Sequence, residues 1–366
     1  MNMPDFGFSH IPGNEGVKKY LSALVMGKNV PQSVIITGEE GVGKLALAEQ
    51  FALALLCENP TEEGACGKCS SCRAYGDGNN PNIAYWYPKG QNTTIDQMRT
   101  LKELSGYTPA KGRYKINIIE KGDTLNEEAS NSILKIIEEP PEYLVNILIY
   151  NNPHNILQTI RSRSITVGMS PVSREILEEY LKKKSDLDDK TVSFASFLAM
   201  GSVGKAREFL ENDKREELRK LIFDCVRGVT SKPMDLLYLA DMIADKKNYY
   251  SDTGRPDADE IKQSPRNYFF APVECEITQM QAVLNFLDIL ALVFRDIIVC
   301  RCGSENIINT DRREETEKLS GKISEEKAGE AIRIIWKTKD KIRSNVNMTI
   351  ALQSMLCRLL ISLREK

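Results

Sequence analysis

Histidine is nearly absent from this chain: its 366 residues hold two, His10 and His154. Both fall in loop-like stretches with no partnered serine or cysteine pattern, which leaves histidine-based or nucleophilic catalysis without support. A strong charge of either sign is also lacking, because 49 lysines and arginines nearly balance 51 aspartates and glutamates, for a formal net charge of −2. That balance gives no global drive toward nucleic acid, so any DNA contact must come from a local patch or from partner subunits. Lys111, Arg113 and Lys115 form one such patch and Lys182, Lys183 and Lys184 another, and a solvated helix face is the plainer reading of both. No apolar run reaches the ~20 residues that span a bilayer. The nearest, Val283 to Cys300, is interrupted by Asp288, Arg295 and Asp296. No amino-terminal stretch has the basic, apolar and small-residue order of a secretion signal, so a cytoplasmic protein with no membrane partner is expected. In a reducing compartment the nine cysteines are not expected to form a disulfide framework.

What is present begins with a phosphate-loop pattern. Gly38-Glu39-Glu40-Gly41-Val42-Gly43-Lys44 fits the first seven positions of G-x-x-x-x-G-K-[ST], but the eighth, where a hydroxyl holds magnesium, is Leu45. The run Val34-Ile35-Ile36 before it and the spacing of Leu47, Ala48, Phe51 and Leu55 after it predict a strand, a loop and a helix. Backbone N–H groups of Gly38, Gly41 and Gly43, with Lys44, could still cradle the phosphates of ATP, whereas Leu45 removes the metal. An unliganded glycine-rich turn is the alternative.

Four of the cysteines are clustered. Cys57, Cys66, Cys69 and Cys72 follow C-x8-C-x2-C-x2-C, a spacing that lets four thiolates surround one tetrahedral zinc ion. Gly64, Gly67, Ser70 and Ser71 are expected to supply turn freedom, and Lys68 and Arg73 to offset negative charge. Four protein ligands leave no open position, so the role expected is structural. An iron–sulfur cluster and unligated thiols compete with this reading.

Further strands are predicted at Ile83–Tyr87, Ile116–Ile119, Val145–Tyr150 and Ile165–Val167, alternating with helices that open near Thr94 and stop at Pro140-Pro141. This alternation implies an α/β domain with a mostly parallel sheet covered on both faces. From Ser170 the pattern is helical, broken at 248–274 by a stretch without periodicity that reads as a loop or insertion.

Taken in order, GEEGVGKLALA, the four-cysteine insert behind its helix, INIIEKGDTLNEEASNSILKIIEEPP and NNPHNILQTIRSRS resemble bacterial clamp-loader subunits of the AAA+ class. The resemblance covers residues 1 to about 210 well. It implies a RecA-like AAA+ domain over 1–168 with a zinc module at 57–72, a helical lid over 169–211, and an all-helical collar used in oligomerisation over 212–366. It also implies partners: ATP-hydrolysing motor subunits of the gamma/tau kind, a delta subunit, the ring-shaped sliding clamp and primer-template DNA.

The family divides into motors and a stator-like delta-prime subunit of the DNA polymerase III holoenzyme. In the motors the third strand ends in Asp-Glu, which supports magnesium and polarises water. Here Glu120 and Lys121 stand at those positions, and a protonated lysine cannot act as that base. With Leu45 also lacking a hydroxyl, the chain resembles the non-hydrolysing branch; a motor with an atypical loop is the alternative, and a zinc-bearing nucleic-acid module a third reading. Ser162-Arg163-Ser164 stands where the family has Ser-Arg-Cys, so the resemblance makes Arg163 a trans-acting finger for a neighbour's ATP site, with Arg161 as competitor. Asn151 and Asn152 fall in the first sensor region, and Gly204-Lys205-Ala206 where a lid presents its second sensor.

Overall fold

The computed structural model of the chain describes residues 6–88, 93–230, 236–250, 278–344 and 346–364. Beyond Tyr250, the expected insertion at 248–274 lies outside these residues. Contacts divide the chain into two compact units, the first comprising Met1–Tyr180 with Met200–Gly204, the second including Leu181–Ala199 and the helices that follow Gly204.

The first unit is built on five strands, β1 (Ser33–Thr37), β2 (Ile83–Trp86), β3 (Lys115–Ile119), β4 (Leu144–Tyr150) and β5 (Ile165–Gly168), in the order β2-β3-β4-β1-β5. Every pairing is parallel, with Ile35 opposite Leu148 and Thr166. Parallel strands need crossovers, and these put helices on both faces. Val34 and Ile36 of β1 join one core with Leu21 of α1 (Glu15–Met26) and Phe51 of α2 (Lys44–Leu56). Ile35 joins the opposite core with Met98 of α4 (Ile95–Ser105) and Ile133 of α5 (Glu127–Glu138). Two-sided burial is why β1 and β4 are buried along their whole length and mostly apolar rather than alternating, whereas edge strand β5 leaves Thr166 and Gly168 exposed.

Local chemistry sets the helix starts. Thr94 and Gln97 form a capping box at α4, and the Asn126 side chain accepts the Ala129 N–H at 2.8 Å to open α5. Ser70 and Ser71, expected to loosen a turn, instead open a seven-residue helix, α3 (Ser70–Gly76), whose buried residue is Cys72. The expected helix-face reading of the first basic patch does not hold. Lys111 and Arg113 lie on the loop between α4 and β3, and Lys115 begins β3. After the short α6 (Gln158–Arg161) and β5, α7 (Arg174–Lys184) carries Lys182, Lys183 and Lys184 in its last turn, on a helix as expected.

The second unit is helical: α8 (Asp189–Leu198), α9 (Val203–Glu211, from Lys205 onward), α10 (Arg215–Thr230), α11 (Leu236–Ala244), α12 (Gln279–Arg301), α13 (Arg313–Ser320), α14 (Glu325–Arg343) and α15 (Met348–Arg364). Inside it, the fully buried Asp296 of α12 accepts from Ile308 N, Asn309 N at 2.8 Å and Asn309 Nδ2 at 2.7 Å. Asn309 in turn accepts from Arg219 of α10 at 3.0 Å, and Arg219 pairs with Asp311 and lies 4.4 Å over the Phe194 ring of α8. A buried charge is tolerated when donors surround it, as they do here. Among the described residues no helix is long and apolar enough to cross a membrane.

Candidate functional site

The phosphate-loop pattern forms a real loop between Thr37 and Lys44, at the carboxyl ends of the strands. Gly38, Gly41 and Gly43 have φ of 151°, 81° and 97°. A Cβ on Gly41 would stand 2.2 Å from Ser202 Oγ, and one on Gly38 2.6 Å from Met169 O, so both positions require glycine. Lys44 is 6 % exposed, and its Nζ donates to Gly38 O at 2.7 Å and Glu39 O at 2.6 Å. Leu45 packs against the core beneath α2. From outside, Ser202 Oγ donates to Glu40 O at 3.2 Å and the Gly204 N–H to Gly41 O at 2.9 Å. Of the expected second sensor, Gly204 therefore meets the loop through its backbone, whereas Lys205 belongs to the second unit.

Charge in this corner is held at a cost. Burial lowers the Lys44 pKa below the ordinary lysine value, opposed by the charges of Glu40, Asp123, Glu120 and Glu39. Burial raises that of Glu120, opposed by Lys121 and Lys44. Lys121 follows in the left-handed region, φ 51°, capping a short turn over Gly122–Thr124. The carboxylate that organises the sensor corner is one the sequence did not point to: Asp123 accepts the Asn151 N–H at 2.6 Å, the Asn152 N–H at 3.1 Å and Asn155 Nδ2 at 3.2 Å. Asn151 and Asn152 are thus engaged through backbone. The acidic tail of EKGD is the one local hint of this.

Arg163 follows α6, and Ser164 Oγ lies 2.7 Å from Ser33 Oγ, which places the segment at the amino ends of β1 and β5. A five-residue strand spans about 16 Å, so Arg163 and the phosphate loop are separated by the depth of the sheet. Arg163 is partly exposed; its Nη2 lies 3.2 Å from Glu138 Oε1, and its Nη1 donates to Thr159 O and Ser162 Oγ. Arg161 is exposed, with no side-chain partner among the described residues.

The four cysteines come together. Cys57 ends α2, Cys69 caps α3, Cys72 sits in its first turn, and Cys66 lies between them, with all four sulfurs within 4.8 Å of one another. The Sγ separations are 3.4 Å for Cys69 and Cys72, 3.8 Å for Cys72 and Cys57, and 3.9 Å for Cys57 and Cys69. Sulfurs about 2.3 Å from one tetrahedral ion stand about 3.8 Å apart, so the cluster can hold one metal ion. The Cys66 N–H points at Cys57 Sγ (3.2 Å) and the Lys68 N–H at Cys66 Sγ (3.5 Å). The second of these holds the Cys66 thiol down at about 7, while burial pushes Cys57 and Cys72 up. Gly64 and Gly67, at φ 109° and 71°, make the expected turns.

Two family models match the chain: "DNA polymerase III, delta subunit" over residues 13–173, and "DNA polymerase III, delta subunit, C terminal" over residues 270–360. A Bacillus subtilis protein named DNA polymerase III subunit delta' is 25 % identical over 354 residues, covering 95 % of both chains. The chain belongs to the clamp-loader family of DNA polymerase III. Within this family its likeness is to the delta-prime branch. The five-stranded parallel sheet behind a phosphate loop, with helices after it, is the AAA+ architecture expected of a clamp-loader chain. A Pseudomonas aeruginosa subunit delta' is 36 % identical over 133 residues, and a Bacillus subtilis subunit tau 27 % identical over 205. Those two matches take in 36 % and 56 % of this clamp-loader chain, but only 40 % and 36 % of the relatives' own lengths.

Proposed function

We propose that this chain is the non-hydrolysing stator of a clamp loader. In this reading it assembles in the cytoplasm with gamma/tau-like motors and a delta subunit to place the sliding clamp on primed DNA. The observation that carries the reading is the phosphate loop: Leu45, half-buried, packs against the core, and Lys44 donates to the loop's own carbonyls at 2.6 and 2.7 Å. Neither a hydroxyl for magnesium nor a carboxylate at Lys121 is present, so water activation has no agent there. The domains assigned are the AAA+ domain over 1–168, the lid over 169–211 and the collar over 212–366.

Arg163 supplies a guanidinium to a neighbouring subunit's ATP site. Its position at the amino ends of the strands, with the chain's own loop at the carboxyl ends, supports action in trans. A planar fork there neutralises charge developing on the transferred phosphoryl group. The metal is one structural zinc ion on Cys57, Cys66, Cys69 and Cys72. Bound there, it fixes the end of α2 against α3. Sulfur separations near 3.8 Å suit a single ion better than an iron–sulfur cluster, whose thiolates sit on different irons.

The test is ATP turnover by the purified chain and by the reconstituted complex. The chain alone is expected to hydrolyse negligibly, and Leu45→Thr alone not to rescue it, since the carboxylate is still absent. Magnesium-dependent hydrolysis by the lone chain that Lys44→Ala abolishes would favour the motor reading.

A further inference from the structure

The loop from Gly106 to Tyr114 joins α4 to β3 at the amino ends of the strands, and the nucleotide corner makes no use of it. It is held at three places. The Lys115 ammonium donates to Leu104 O at 2.5 Å and Tyr107 O at 3.3 Å, closing the carboxyl end of α4. The Tyr143 hydroxyl donates to Gly106 O at 3.0 Å. The buried Asn82 accepts the Ala110 N–H at 3.0 Å and donates to Lys111 O at 2.5 Å.

This anchoring orders the backbone and leaves two cations at the tip. Lys111 and Arg113 are exposed, flank Gly112 at φ 83°, and have no carboxylate partner among the described residues. The Arg113 guanidinium lies 5.3 Å over the Tyr114 ring, and Tyr107, 63 % exposed, stands under Lys115 at 5.8 Å. Such stacking limits the side-chain freedom that Arg113 would lose on binding an anion.

We infer that this loop is a docking point for the phosphate backbone of DNA. Unpaired cations on an anchored loop fit closely spaced phosphates, and Arg113 offers the fork that phosphate oxygens accept. Tyr107 offers a face to a base or sugar alongside. A chain with no global positive charge needs a local device of this kind if it is to meet DNA at all. The inference goes beyond the proposed function, because loading a clamp through a complex does not require this subunit to touch DNA.

The test uses the full chain without ATP or partners, so its outcome does not depend on the stator reading. Anisotropy of fluorescein-labelled single-stranded and duplex oligonucleotides is followed from about 50 to 200 mM salt. Each phosphate contact contributes about 0.9 to the salt slope on duplex and about 0.7 on single strands. Lys111→Ala with Arg113→Ala is expected to lower the slope by about 1.8 or 1.4 respectively. Which probe shows the loss identifies the source of the phosphates, and a further loss with Tyr107→Ala on the single strand marks base stacking. Lys183→Ala with Lys184→Ala, on α7, is the comparison and should change the slope less. Both target residues are exposed, and retained metal content and melting temperature verify the fold. An unchanged slope on both probes overturns the inference, as does weakened assembly with an acidic protein partner at unchanged DNA affinity.

Discussion

Glu120 is a residue whose ionisation the fold opposes at the phosphate loop. Burial raises its pKa above the ordinary 4.5, so between that value and the folded one the native state keeps a proton that the unfolded chain has lost. Its contribution to stability is therefore full below the unfolded value and is lost as pH rises through the folded one. Glu120→Gln is expected to raise stability at neutral pH, with the gain vanishing as the medium becomes acid; urea denaturation at both pH values measures it. Arg163 behaves differently, because its pair with Glu138 is partly exposed and contributes at most about 1 kcal/mol. Arg163→Ala should leave the chain folded and able to assemble, while the adjacent motor's DNA-stimulated turnover falls by about 10³-fold or more. Arg163→Lys should rescue poorly, since an ammonium lacks the planar fork. If turnover survives Arg163→Ala and falls with Arg161→Ala, the finger is Arg161; if both variants keep full rate, the chain completes no neighbour's site.

At the scale of elements, α3 depends on the cysteines it carries. A helix of seven residues cannot sustain itself in water, and its buried face is Cys72. Chelation should therefore raise hydrogen exchange across residues 57–76 while β1 and β4 stay protected, and elemental analysis should find one zinc per chain in fresh protein. Cys69→Ser should reproduce the loosening without a chelator. The cysteine cluster was legible because metal geometry is written into short spacings, and the strands because apolar runs bounded by turns persist under two-sided burial. The helix α1 was harder: Val17, Leu21, Leu24 and Val25 have helical spacing, but Asn14 at its start makes no cap bond. Its amide instead pairs with the backbone of Ser170, donating at 3.0 Å and accepting at 2.9 Å. Asp123 was hidden for the same reason, since its partners Asn151, Asn152 and Asn155 follow the neighbouring strand β4 and no local spacing records a long-range bond.

For the whole molecule, the two units rest on different chemistry, and each has a residue that tests it. Asp296 is fully buried and gathers donors from Asn309, Ile308 and Arg295. Asp296→Ala strands those donors, and a loss of about 3–5 kcal/mol is expected. Urea unfolding combined with hydrogen exchange over α10 and α12 checks this, while metal content should not change. The division between the units also carries a practical consequence. Among the described residues the chain passes from one unit to the other after Tyr180, after Ala199 and after Gly204. A fragment ending at Tyr180 would keep all the strands and the four clustered cysteines but forfeit Ser202 and Gly204, the two residues clipped to the outside of the phosphate loop. Nucleotide affinity measured on such a fragment would describe an unclipped loop, not the one in the intact chain.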